Sequence, residues 1–289
     1  MLALEKERWV PKSSADWRRD VDQLSVALHG RSICLLTGAG CSTESGIPDY
    51  RGEETARRAR NPIQFKQFVS NEAGRRRYWA RAMIGWPQFR LAAPSGAHLA
   101  ARRLEEASRL SGTITQNVDR LHTRAGSRSV VELHGALEDV VCLRCGALEH
   151  RDELQARLAA ANPGFLQQAF DLAPDGDADI NEASILDFNV QDCRVCGGVL
   201  KPRVVFFGEG VPQHTVEAAW QIFDAADVLL VVGSSLAVFS GYRFVRRALK
   251  ENKPVHLINL GTSRADPDAS SRVAAPAGPA LSRLADALR

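Results

Sequence analysis

The sequence predicts an α/β fold, a Rossmann-like doubly wound parallel sheet with a smaller domain set into it. Three observations carry that prediction. Apolar runs of strand length, such as Val228–Val232, alternate with stretches of helical period, and such alternation builds parallel sheets with right-handed crossovers. The first run, residues 31–36, empties into the glycine-rich turn Gly38-Ala39-Gly40, the kind of turn that lets backbone approach a phosphate. Between residues 138 and 202 the composition changes, and two Cys-x-x-Cys pairs bracket a polar stretch.

Taken in order, residues 13–29 are expected to form a helix capped by Ser14, with Val21, Leu24, Val26 and Leu28 as its apolar positions. Residues 31–36 form the first strand. Residues 53–90 are helical and Arg-rich, with breaks expected near Asn61-Pro62 and Trp86-Pro87. Ala93-Pro94-Ser95-Gly96 marks a boundary, followed by a helix over 97–110 and a short strand over 112–115. Residues 130–135 are read as a strand that ends in the His134-Gly135 turn. After the cysteine-bearing stretch, the pattern resumes with a strand over 203–207, a helix over 213–225, the strand Val228–Val232, a helix over 241–251 and a strand over 255–259. Residues 262–280 are rich in Ala, Pro, Ser and Gly and are read as loop before a last short helix.

Composition narrows the class. A chain of 289 residues with 45% hydrophobic and 25% charged residues is ordinary for a globular protein. A net charge of +3 is too small to point to nucleic acid. The arginines crowding residues 57–90 suit a solvated helix face or an acidic ligand. The best apolar run, 228–238, is shorter than a membrane span and is broken by Gly233-Ser234-Ser235. Glu5 and Glu7 interrupt the N-terminal stretch, which has no apolar segment of a secretory signal. The expectation is a cytoplasmic protein, monomeric, with no nucleic-acid or membrane partner.

Four of the six cysteines carry chemistry. Cys142 and Cys145, then Cys193 and Cys196, each put two thiolates on a tight knuckle, and Gly146 and Gly197-Gly198 allow the turns. Two such pairs close an S₄ tetrahedron around one Zn²⁺ and leave no position for a reactive water, so the metal is expected to be structural. A zinc ribbon that binds nucleic acid would need a basic surface, and the intervening Asp171, Asp175, Asp177, Asp179, Glu182 and Asp187 repel phosphate. The domain division that follows assigns 1–52, 93–137 and 203–289 to the Rossmann-like part. A helical insertion (53–92) and the zinc-binding module (138–202) form the small domain.

Three further stretches follow strand ends, which in an open α/β sheet face the ligand crevice. In Thr115-Gln116-Asn117-Val118-Asp119 the amides and the carboxylate suit a ribose hydroxyl and a carboxamide, or simply cap a turn. His134 is a packed residue or a general base. Gly233-Ser234-Ser235 and Asn259-Leu260-Gly261 bind an adenosine half or are ordinary turns. In the glycine-rich turn itself, Thr37 and Ser42 add hydroxyls, yet the dinucleotide fingerprint G-x-G-x-x-G is incomplete, and no strand ending in an acid follows about 20 residues on.

The longer string GAGCSTESGIPDYRG, beginning at Gly38, resembles the signature of the sirtuins, NAD-dependent protein deacylases. So, in order, do TQNVD, the LHG around His134, the two Cys-x-x-Cys pairs, VVFFGE, GSSL and INLG; together they span about residues 31 to 261. YWARAMIGWPQF, LAPDGD, LKPRVVFFGE and VVGSSLAVFSGYRF resemble the class II sirtuins, in the branch associated with mitochondrial lipoamidase and ADP-ribosyltransferase activities. The chain departs from the pattern at Ala277-Gly278, where a Cys-Gly is expected near the adenine.

The resemblance implies a protein-lysine deacylase that consumes NAD and releases nicotinamide and 2′-O-acyl-ADP-ribose, with His134 as base and Asn117 beside it. NAD contacts are implied for Gly38, Ala39, Gly40, Ser42 and Thr43, for Ile47, Pro48, Asp49, Tyr50 and Arg51, and for Gln116, Asn117 and Asp119. The adenosine half would meet Gly233, Ser234, Ser235, Asn259, Leu260, Gly261 and Ala277. Acyl-lysine peptide would pair with Val205, Phe206, Phe207, Gly208 and Glu209. Tyr78 and Arg81, three apart on a helix, share a face and could grip a carboxylate-bearing acyl group, or Trp79 packs inward while Arg81 meets solvent. The rivals are mono-ADP-ribosyl transfer to a protein and a silent NAD or ADP-ribose sensor. The joint presence of His134, Asn117 and Asp119 argues against the sensor.

Overall fold

The computed structural model describes residues 17–49, 63–167 and 185–289. Ser14, Tyr50, Arg51, the Asn61-Pro62 break and the acids from Asp171 to Glu182 lie outside the described residues.

Helix α1 (Trp17–Leu28) buries Val21, Leu24 and Leu28. Val26, expected among its apolar positions, is 78% exposed because it falls on the opposite face. Strand β1 (Ile33–Thr37) is buried at every position, as a central parallel strand must be. The glycine-rich turn then leads into two 3₁₀ turns, Ala39–Cys41 and Thr43–Ser45. Gly46, at φ +81, closes them.

Helices α2 (Phe65–Ser70) and α3 (Glu72–Leu91) follow, the second capped by the Asn71 side chain at 2.9 Å from the Ala73 amide. α3 runs straight through Pro87, where the sequence predicts a break. Proline lacks the N–H that would bond four residues back. The orphaned Met83 carbonyl accepts instead from Gln155 Nε2 at 2.7 Å, and the Ala82 carbonyl accepts from Arg151 at 3.1 Å. Ser95 opens α4 (Gly96–Glu106) with a reciprocal cap to His98.

Next come β2 (Leu110–Thr115), the single turn α5 (Leu121–Arg124), β3 (Val130–Glu132), β4 (Gly135–Cys142), β5 (Leu148–His150), α6 (Arg151–Ala161) and β6 (Leu200–Val204). The chain ends with α7 (Gln213–Asp224), β7 (Val228–Val232), α8 (Phe239–Lys250), β8 (Val255–Ile258), β9 (Ser271–Val273) and α9 (Ala277–Ala287). Strand β9 corrects the loop expected over 262–280. It is a three-residue edge strand paired in parallel with β8, too short and too polar in setting to show as an apolar run.

The larger sheet has the order β3-β2-β1-β7-β8-β9 with every pairing parallel. In sequence terms this is the 3-2-1-4-5-6 order of a doubly wound nucleotide-binding sheet. The strand expected over 203–207 does not join it. That segment ends β6, which pairs antiparallel with β4 in a smaller sheet of order β5-β4-β6. Apolar clusters cover both faces of the larger sheet, and a third joins α3 to the small sheet around Trp79, whose Nε1 donates to the Leu200 carbonyl at 3.3 Å. Among the described residues no helix is long and apolar enough to cross a membrane.

Candidate active site

Because every strand of the larger sheet runs the same way, their C-terminal ends share one edge. The strand order reverses between β1 and β7, and the loops that leave them open a crevice there. The glycines bind those two loops back to back. A Cβ at Gly38 would lie 2.7 Å from Ser234 Cβ, and one at Gly40 would lie 2.8 Å from Gly233 Cα. Gly233 itself sits at φ +62, in the left-handed region.

Hydrogen bonds within and between the two loops hold this packing. The Gly38 amide donates to Val232 O at 3.1 Å, Gly40 to Gly233 O at 2.9 Å, and Cys41 and Ser42 to carbonyls within the turn. These amides hold the turn against the loop that leaves β7. Thr37 and Ser42, expected as hydroxyl donors to the ligand, are likewise engaged. Thr37 Oγ1 bonds His122 Nε2 at 3.0 Å, and Ser42 Oγ donates to Asp119 Oδ2 at 2.6 Å. Thr43 Oγ1 donates to Gly40 O, and the Ile47 amide to Ser42 O.

The segment after β2 threads this wall. Asn117 Nδ2 donates to Gly38 O at 3.1 Å and to Ser42 Oγ at 3.0 Å, while Asp119 Oδ1 accepts the Leu121 amide at 2.9 Å. Gln116 Nε2 donates to Ser234 Oγ at 2.8 Å. Asn117, Ser42 and Asp119 are thus one hydrogen-bonded group, and Gln116 with Ser234 is a second beside it in the chain. Asn259, Leu260, Gly261 and Ala277 lie along the same edge, after β8 and at the start of α9. Asn259 is folded onto the Gly261 carbonyl at 2.7 Å, and Leu260 is 61% exposed. Ser235 accepts the Arg264 amide. Pro48 and Asp49 are half-buried at the end of the described loop.

His134 stands where the two sheets meet. β3 ends just before it, and β4 begins at Gly135, whose φ of +76 brings it against the Arg203 carbonyl with no space for a Cβ. The ring's Nδ1 lies 2.8 Å from the Gln116 carbonyl, and Nε2 lies 2.6 Å from Ser240 Oγ. A carbonyl can only accept, so Nδ1 carries the proton and Nε2 holds a lone pair. Burial lowers the imidazole's pKa below its ordinary value; the Gln116 carbonyl opposes that shift and the Arg243 cation adds to it. The ring is therefore a neutral base near neutral pH.

Val205 to Glu209 form the facing wall. The Val205 amide bonds the His134 carbonyl at 2.9 Å, and the Phe207 carbonyl accepts the Phe65 amide at 2.9 Å. Glu209 Oε2 accepts the Phe206 amide at 2.8 Å and pairs with buried Lys201 Nζ at 2.9 Å. Gly208 takes φ +80 between them, and Phe207 is 41% exposed. Tyr78 packs edge-on to Phe68 and Trp79 and meets Phe206 at 5.2 Å between centroids, which places it beside this wall. Trp79 is buried and Arg81 is half-buried, both engaged through α3. Sequence reasoning missed Ser240, Gly241 and Arg243. They lie in the string VVGSSLAVFSGYRF that carried the resemblance, but only the fold brings them to His134 and Gln116.

The four cysteine sulfurs lie within 4.8 Å of one another, with Cys142 to Cys196 at 3.5 Å and Cys145 to Cys193 at 3.8 Å. A tetrahedron of Zn–S bonds about 2.3 Å long has edges of about 3.8 Å, so the set fits one zinc ion. Amides of Cys145 and Arg144 draw the Cys142 thiol down to about 6, while neighbouring sulfurs push Cys196 up to about 12. Gly198 is required beneath the cluster, because a Cβ there would lie 2.9 Å from Cys142 Sγ.

Fold and site together define a class, a doubly wound nucleotide-binding protein with a half-buried, neutral histidine where its two sheets meet and a zinc module beside it. A family model described as the Sir2 family matches residues 38–240. The chain is 49% identical over 269 residues to NAD-dependent protein deacetylase 1 of Streptomyces coelicolor, covering 93% of this chain and 90% of that protein. It is 43% identical over 285 residues to NAD-dependent protein deacylase Sirt4 of Drosophila melanogaster, covering 97% and 91%. Among solved structures, a Sir2 complex with a p53 peptide and NAD⁺ matches at 28% identity and TM-score 0.70, covering 91% of this chain and 96% of that one. A Sir2 protein bound to a propionylated peptide matches at 27% identity and TM-score 0.72, covering 92% and 97%. The chain belongs to the Sir2 family.

Proposed function

We propose that this Sir2-family protein is an NAD-dependent protein-lysine deacylase that favours acyl groups larger than acetyl, including groups with a terminal carboxylate. The observation that carries the deacylase reading is His134, neutral, with Nδ1 on the Gln116 carbonyl, Nε2 on Ser240 Oγ and its backbone carbonyl on the Val205 amide, where the Val205–Glu209 wall begins. NAD, when bound, supplies the ADP-ribosyl group that leaves with the acyl chain as 2′-O-acyl-ADP-ribose, nicotinamide departing. His134 Nε2 takes the proton from a ribose hydroxyl, and Nδ1 keeps its own against the Gln116 carbonyl. Asp119 and Asn117, tied to Ser42, hold the position assigned to the carboxamide and ribose. The acyl-lysine peptide adds as a strand along Val205, Phe206, Phe207, Gly208 and Glu209. A cytoplasmic setting suits the reading, since a zinc knuckle needs reduced thiols.

The acyl preference rests on Tyr78 and Arg81. Tyr78 packs against Phe206 of the peptide wall, and Arg81 is one turn along on the same helix. A guanidinium there can grip a carboxylate with two parallel N–H bonds. A panel of acetyl-, methylglutaryl-type and lipoyl-lysine peptides, compared by kcat/KM, tests this. The expected result is slow deacetylation, faster removal of the larger groups, and a selective loss on carboxylate-bearing groups in Arg81→Met. Acetyl as best substrate, or an equal loss on every group, contradicts it. Mass spectrometry of the same reactions would reveal ADP-ribosyl transfer to protein as added mass.

A further inference from the structure

Ser240 opens α8 and is held there by its neighbours. Gly241 presses its backbone against Gln116, with no space for a Cβ beside Gln116 Oε1. Gln116 is in turn fixed by Ser234 Oγ at 2.8 Å and by its own amide on Thr37 O at 3.0 Å. The helix start, the Gln116 loop and the His134 ring therefore form a closed circuit: Gln116 O to Nδ1, Nε2 to Ser240 Oγ, and Gly241 back to Gln116. Since Nδ1 must donate to the carbonyl, Nε2 can only accept, and the Ser240 hydroxyl is the donor across 2.6 Å.

We propose that Ser240 is a positioning residue for the His134 base. Its hydroxyl holds the ring in the orientation and tautomer that leave Nε2 as the basic atom, and occupies that lone pair until a substrate hydroxyl replaces it. This rests on the deacylase reading above, in which Nε2 is the atom that takes the proton. A hydrogen bond donated to a neutral base stabilises the neutral form. Ser240 thus acts in the same direction as burial and as Arg243, the charged group that bears on the ring among the described residues. The other groups that touch the ring or its backbone, the Gln116 carbonyl and the Val205 amide, are neutral. Ser240 is 8% exposed, so water does not readily substitute for its hydroxyl.

The test is a histidine-ring NMR titration of the full-length, ligand-free protein, which has seven histidines to assign, run beside kcat/KM against pH. Wild type, Ser240→Ala and Ser240→Thr are compared. In Ser240→Ala the His134 titration moves up by about 0.5 pH unit or more, as expected for losing one hydrogen bond to the neutral ring. The acid limb of kcat/KM follows it upward, so the variant loses most activity below neutral pH. Ser240→Thr, which keeps the hydroxyl, stays with wild type in both. An unmoved His134 titration in Ser240→Ala overturns the proposal, as does a moved titration that leaves the acid limb in place. Wild-type protein that titrates as expected yet shows no NAD-consuming turnover contradicts the deacylase reading itself, and with it any catalytic use of Ser240.

Discussion

Under the proposed function, the basicity of His134 is set by the two atoms that flank its ring, an acceptor on Nδ1 and a donor on Nε2. Burial adds to this by disfavouring the charged form. The sign of the pH dependence follows. A base that must be neutral, with a pKa held below the ordinary histidine value of about 6.5, keeps kcat/KM level through neutral pH and loses it only in more acid solution. His134→Ala should leave the fold intact by circular dichroism while lowering turnover roughly 10²–10⁴-fold, the usual cost of losing a general base. Near-normal turnover in that variant would remove histidine from the mechanism. The Lys201–Glu209 pair is a second single-residue lever, because it fastens the Val205–Glu209 wall proposed to receive the peptide. Lys201→Met should raise the peptide KM several-fold and leave the KM for NAD nearly unchanged; a change in NAD alone would sink that assignment.

At the scale of elements, the long helix α3 depends on a donor far away in the chain. Gln155 reaches across 72 residues to the carbonyl that Pro87 orphans. Gln155→Ala leaves that buried acceptor unpaired and should cost about 1–3 kcal/mol. In a Pro87→Ala background, where residue 87 regains its own N–H, the same change should cost markedly less. Urea denaturation of the four proteins in this double-mutant cycle checks it, and additive costs would contradict the account. The same element shows what sequence can and cannot convey. The buried runs that became β1, β7 and β8 were legible because a strand covered on both faces is apolar throughout. The break at Pro87 was misread because its remedy lies on another helix. β6 was legible as a strand but not as a member of the small sheet, since sheet membership is decided by its partner β4. The glycine-rich turn was legible from its glycines, whereas the two 3₁₀ turns that follow it carry no periodic signal. For the candidate site, the motifs singled out His134, Asn117 and Asp119 at strand ends, whereas Ser240 lay inside the string VVGSSLAVFSGYRF with nothing in the sequence to say that its hydroxyl meets the His134 ring.

On the scale of the whole molecule, the zinc module and the crevice are mechanically joined. Cys142 ends β4, the strand that begins next to His134, and Cys193 and Cys196 lead into β6, whose last residues run on into the peptide wall. One zinc ion per chain should be found by elemental analysis of untreated protein, and its removal should lower both the melting temperature and kcat/KM, because metal binding is part of the folding free energy of such a module. Untreated protein without zinc would count against this. The deacylase reading joins these parts in a single reaction, and it is tested most directly by its stoichiometry. Wild-type protein, NAD and an acyl-lysine peptide are incubated, and nicotinamide and free-lysine peptide are quantified together by mass spectrometry. The account predicts one nicotinamide released for each acyl group removed, with both lost in His134→Ala. Nicotinamide released without deacylated peptide, or acyl groups removed without NAD, would contradict it.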